Sequence, residues 1–148
     1  MRFTIISFLA IALVSSSFGQ TLNADERKIV DYIDRNSAAA VSFLEKSVNI
    51  ESPTEDLAGV KRDGMEFSKE LEAIGMNVRW IDMPPAQKRA GHLIAETKGS
   101  KGKRILILGH LDTVLKGEKF RREGDKAYGT GIGDMKGGNV IALYALKA

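Results

Sequence analysis

The sequence predicts an α/β layer fold on three observations: two apolar patterns at helical spacing, then strand-like runs, then a closing helical pattern. The first helix opens at Asn23, a capping residue type, with Glu26 three positions on as the reciprocal partner of a capping box. Ile29, Ile33, Ala40, Val41, Leu44 and Val48 follow at near-helical spacing. Their phase slips around Asn36 and Ser37, so the pattern allows one long helix or two. Pro53 ends this region. Residues 57–74 form a second amphipathic helix, with Val60, Gly64, Phe67, Leu71 and Ile74 on one side, Lys61, Glu66, Lys69 and Glu70 on the other, and Gly75 as its stop. A strand over 76–81 alternates Met76, Val78 and Trp80 with Asn77 and Arg79. Pro84-Pro85 breaks it, and a second strand covers 92–97. After the solvated turn at 98–103, the run Ile105-Leu106-Ile107-Leu108 has no alternation, the pattern of a central strand buried on both faces. A hairpin follows over 120–128 about Glu123-Gly124. From Met135 onwards, Val140, Ile141, Leu143, Tyr144 and Leu146 mark a final helix that covers the sheet.

Residues 1–19 stand apart from these elements. A basic start at Arg2, an apolar core from Phe3 to Val14 and a small-residue exit at Ser15–Gly19 read as a secretory signal peptide, with cleavage before Gln20. The apolar core is shorter than the roughly 20 residues needed to cross a bilayer, so export to the periplasm or the medium is expected, without stable membrane association after cleavage. Residues 20–148 then make one small domain. The 148 residues carry a formal net charge of +3 and no cysteine. Disulfides are therefore excluded, and packing or metal must hold the exported chain. Lysines and arginines are scattered among acidic residues with no basic face, so nucleic acid is not an expected partner.

Two segments carry chemistry. In Gly109-His110-Leu111-Asp112-Thr113 the histidine and carboxylate are two apart, hence on one side of an extended chain. They lie just past the expected central strand, where open α/β sheets place ligands. Both could bind metal, or Asp112 could support His110. In the second segment, Asp134 follows Gly129, Gly131 and Gly133 and precedes Lys136-Gly137-Gly138. Asp134 could cap the following helix or face a cleft as a ligand. Two glycines early in a helix each lose about 1 kcal/mol against alanine, which close packing against a neighbouring segment would explain. Nucleotide loops do not fit: the 129–133 glycines lack the required third offset and follow a charged strand. There is no serine elbow, and His92, at a strand start, reads as structural or exposed.

Through these segments the chain resembles the M20 family of zinc metallopeptidases, and within it the glutamate carboxypeptidases of the carboxypeptidase G type. The similarity runs through Ser47–Ser52, Phe67–Gly75, Gly109–Val114, Phe120–Gly129 and Asp134–Asn139. The resemblance implies the N-terminal part of a zinc-exopeptidase-like α/β/α catalytic domain with a central mixed sheet. It implies that His110 ligates one of two zinc ions, that Asp134 bridges both, and that Asp112 acts in catalysis by hydrogen-bonding His110 to fix its orientation. The family's later glutamate pair, further acidic ligand and distant histidine have no counterpart from Met135 to Ala148. The expectation is therefore a truncated domain, inactive alone, without the lid that supplies substrate contacts and the dimer interface. The parent activity implied is metal-dependent hydrolysis of a C-terminal amide, releasing glutamate or a similar residue from a small peptide or N-acyl amino acid. A deacylase or desuccinylase of the same family, and a non-catalytic binding domain, are the alternatives.

Overall fold

The computed structural model describes residues 21–99 and 102–148; the expected signal peptide over 1–19 lies outside them. Its elements are α1 (Ala24–Asn49), α2 (Leu57–Ala73), β1 (Asn77–Ile81), β2 (His92–Glu96), β3 (Arg121–Glu123), β4 (Lys126–Tyr128) and α3 (Gly137–Lys147).

The capping box at Asn23 is formed. Its side-chain oxygen accepts the Asp25 and Glu26 amides at 2.9 Å, and Glu26 accepts the Asn23 amide at 2.7 Å. Where the apolar phase slips, α1 stays unbroken, and the polar side chains there bond back to its own carbonyls. The Asn36 amide donates to the Tyr32 carbonyl at 2.8 Å, and the Ser37 hydroxyl to that of Asp34 at 3.1 Å. Asn23→Ala is expected to lower stability by about 1 kcal/mol, read as a lower urea midpoint at unchanged slope.

Asp56 caps α2 by accepting the Gly59 amide at 2.9 Å. Gly64 is the place where α2 meets the first sheet: a Cβ there would lie 2.6 Å from the Trp80 ring and 2.9 Å from Leu111. The core gathers Phe43 from α1, Phe67 from α2, and Val140, Leu143 and Tyr144 from α3. Phe43 and Phe67 meet edge to face, with ring centroids 5.0 Å apart.

The sheets are small. β1 pairs antiparallel with β2, Arg79 opposite Ile94, and β3 with β4, Arg122 opposite Ala127. This is an α/β architecture, but the central strand expected over 104–109 forms no ladder among the described residues. Ile105 and Leu108 are 83% and 77% exposed. A run apolar on both sides needs partner strands at its edges and layers on both faces, and here β1 and β2 pair only with each other. Backbone pairing resumes just beyond, at an isolated parallel bridge between Pro53 and Thr113. No helix among the described residues is long and apolar enough to cross a membrane.

Candidate metal centre

That bridge fixes the first chemical segment. The Thr113 amide donates to the Ser52 carbonyl at 2.8 Å, the Thr54 amide to the Thr113 carbonyl at 3.0 Å, and the Ser52 hydroxyl to the Leu111 carbonyl at 2.9 Å. The backbone of His110 is gripped from the other side. Its carbonyl accepts the Asn139 side-chain amide at 2.6 Å, and its N–H points at the Met135 sulfur at 3.4 Å. Asn139 comes so close that a Cβ at position 109 would sit 2.3 Å from its oxygen, hence glycine there.

Asp134 rides on the turn Ile132–Lys136, entered through Gly131 at φ +76°. Asp134 (φ −137°, ψ 95°) and Met135 (φ −132°, ψ 31°) are not helical, the peptide between them is cis, and α3 begins only at Gly137. The cap position of α3 falls to Lys136, two residues beyond Asp134, whose carboxylate projects into solvent. The turn is closed by the Lys136 amide donating to the Gly131 carbonyl at 2.9 Å. It is anchored beneath by the fully buried Lys136 ammonium, which donates to the carbonyls of Ser47 at 2.6 Å and Ile50 at 2.8 Å.

These supports bring the three expected residues together. His110 Nδ1 lies 2.8 Å from the Asp112 carbonyl oxygen and 3.5 Å from its carboxylate. A carbonyl only accepts, so Nδ1 carries the proton. Nε2 faces Asp134 Oδ1 at 2.9 Å. A carboxylate also only accepts, so a cation belongs between them, either a proton or a metal. Partial burial works against the charged imidazole, but its hydrogen bonds to Asp134 and to the Asp112 carbonyl, with the two carboxylate charges, outweigh it and raise its pKa above the ordinary value. The donor chemistry, one imidazole nitrogen and one carboxylate oxygen, fits zinc. It supplies two donors where a tetrahedral site takes at least three, and no group of three or more histidine, cysteine or acidic residues is placed to hold a metal among the described residues. His92, exposed at the start of β2 opposite Ile81, is no part of the cluster.

Thr54 joins the cluster with no signal in its local sequence. Its hydroxyl donates to Asp112 Oδ2 at 2.6 Å across 58 positions, a pairing no local pattern encodes. Lys136 and Asn139 lay inside the segment already singled out, but nothing local assigned them their contacts.

No family model matches the chain. It is 42% identical over 119 residues to Carboxypeptidase G2 of Pseudomonas sp. (strain RS-16), covering 74% of this chain and 27% of that protein. It is 36% identical over 107 residues to a protein assigned as a LysW-lysine/LysW-ornithine hydrolase of Pyrococcus abyssi, covering 72% and 28%. A protein assigned as a succinyl-diaminopimelate desuccinylase of Mycobacterium tuberculosis is 41% identical over 54 residues, covering 35% and 15%. The chain thus spans under a third of the length of the curated relatives it matches. This homology supports membership of the broad M20-family group of peptidases and amidohydrolases.

Proposed function

We propose that these residues form the N-terminal part of an exported, metal-dependent amide hydrolase, with a carboxypeptidase-type preference for small peptides or N-acyl amino acids. The observation that carries the reading is the opposed pair His110 Nε2 and Asp134 Oδ1, 2.9 Å apart with Nδ1 already committed. His110 and Asp134 would hold zinc, with further donors from sequence outside the described residues. Zinc so held supplies Lewis-acid polarisation of a carbonyl and acidifies bound water. The protein's own part is orientation: the Asp112 carbonyl fixes the imidazole tautomer, and Asn139 fixes the backbone that carries it. The similarity to Carboxypeptidase G2 extends over 74% of the chain, against 35% for the desuccinylase, which favours the carboxypeptidase reading over the deacylase one. A lid domain and a dimer interface belong to the same reading.

The test is zinc titration of the complete gene product against its His110→Ala and Asp134→Ala variants, followed by hydrolysis of an N-acyl glutamate. Each variant is expected to bind zinc at least tenfold more weakly and to lose turnover in step. Parent-like zinc affinity in both would remove the metal site from these residues. A complete protein that binds zinc but releases only the acyl group of succinylated amines would shift the assignment to the deacylase branch.

A further inference from the structure

The geometry points to Thr54 as a positioning residue that pins the Asp112 carboxylate against His110; this inference rests on the metal-site reading above. Asp112 has two oxygens and two neighbours. Oδ2 accepts the Thr54 hydroxyl at 2.6 Å, and Oδ1 lies 3.5 Å from His110 Nδ1. A hydroxyl has one proton, and the alternative acceptor, the Thr113 carbonyl, is more distant at 3.3 Å. The short contact to the carboxylate therefore takes it, in the range of charge-assisted O–H···O⁻ bonds. Thr54 is itself immobilised, because its amide donates to Thr113 and Pro53 forms the bridge to the same residue, while its branched Cβ restricts χ1.

A plain docking role for the hydroxyl explains less. Three other hydrogen bonds already tie residues 52–54 to 111–113: Thr113 to Ser52, Thr54 to Thr113, and Ser52 to Leu111. Docking survives without the hydroxyl; the orientation of the carboxylate does not. An unpinned carboxylate two residues from His110 is an oxygen donor able to turn away from the ring and towards a bound cation. Pinned, Asp112 stays beside the imidazole and leaves Asp134 as the carboxylate facing Nε2. Groups bonded directly to a ligating side chain change metal affinity by about 10–100-fold when removed, and Thr54, acting one contact further out, is expected at the low end of that range.

The experiment compares Thr54→Val and Thr54→Ser in the complete gene product labelled with 15N-histidine. It reads the metal-free His110 ring nitrogen shifts, zinc affinity by competition, and the unfolding midpoint. Thr54→Val is expected to move the His110 shifts and weaken zinc about tenfold with the midpoint nearly unchanged, and Thr54→Ser is expected to restore both. Parent-like ring shifts in Thr54→Val overturn the inference, and so does parent-like zinc affinity in a protein whose His110→Ala variant has lost binding. If His110→Ala binds zinc as the parent does, the metal-site reading fails instead, and the metal-free ring shifts alone decide the role of Thr54.

Discussion

Lys136→Met is expected to destabilise the fold by about 3–5 kcal/mol, the usual result of removing one partner of a buried ion pair. Lys136 and Asp63 are 1% and 0% exposed, with Nζ 3.3 Å from Asp63 Oδ2. The ammonium also closes the end of α1 through the Ser47 and Ile50 carbonyls, and the Ser47 hydroxyl donates to Asp63 Oδ1 at 2.8 Å. Asp63 Oδ2 accepts no hydrogen bond and has only the ion pair with Lys136, so without the lysine it is a buried, uncompensated charge. Burial pushes the Asp63 carboxyl up and the Lys136 ammonium down, each partly offset by the other's charge. A carboxyl whose folded pKa is raised binds more protons folded than unfolded, so its contribution to stability is full below the ordinary value and declines as pH rises towards the folded one. Losing the lysine widens that window. The Lys136→Met deficit should therefore shrink on acidification towards pH 4, whereas the double variant Lys136→Met/Asp63→Leu should recover part of it at neutral pH, the rest being kept by the buried Ser47 hydroxyl and the Ser47 and Ile50 carbonyls that lose these partners. Urea midpoints of the three proteins at two pH values check both claims. A pH-independent deficit would mean that lost packing, not stranded charge, sets the effect.

The same pair shows where the sequence stopped being legible. Elements specified by neighbours a few residues away are where the pattern put them. The α1 start follows from Asn23 and Glu26, the end of α2 from Gly75, and the 120–128 hairpin from Gly124 at φ +62°. Elements that depend on distant partners are not. Ile105–Leu108 has the composition of a central strand, but a strand exists only by pairing, and the described residues offer this run none. At the site, His110, Asp112 and Asp134 were candidates from two short segments, with their roles implied only by the family resemblance, and the fold brings the three around one imidazole. Thr54 to Asp112 and Lys136 to Ser47 span 58 and 89 positions; only the folded chain brings them together. Asp134 was open to reading as a helix cap because capping and cleft-facing carboxylates share the same local sequence, and only the start of α3 at Gly137, with Lys136 at the cap position, separates the two.

Gly137→Ala should lower stability by about 1–3 kcal/mol, the range for overpacking a tight contact, although the same change in an exposed helix gains about 1 kcal/mol. The reason is space, not backbone freedom. Gly137 has ordinary helical angles (φ −61°, ψ −44°), but a Cβ would stand 2.6 Å from the backbone carbonyl oxygen of Ile132, which also accepts the Gly137 amide. That carbonyl belongs to the turn carrying Asp134, so relief of the clash moves the carboxylate away from His110 Nε2. The neighbouring Gly138 is the internal control. Its Cβ would meet the Met135 side chain alone, 3.3 Å from the methyl and 3.8 Å from its Cβ, and the methyl can turn about the terminal bond while the sulfur stays at the His110 amide. Gly138→Ala should accordingly be neutral or mildly stabilising and leave zinc affinity unchanged, while Gly137→Ala loses both stability and affinity. Helix propensity treats the two glycines alike. Opposite signs from adjacent positions would therefore show that the turn beneath Asp134, and not α3, dictates the first of them. Equal gains would show that the turn yields freely and that Asp134 is not held by it.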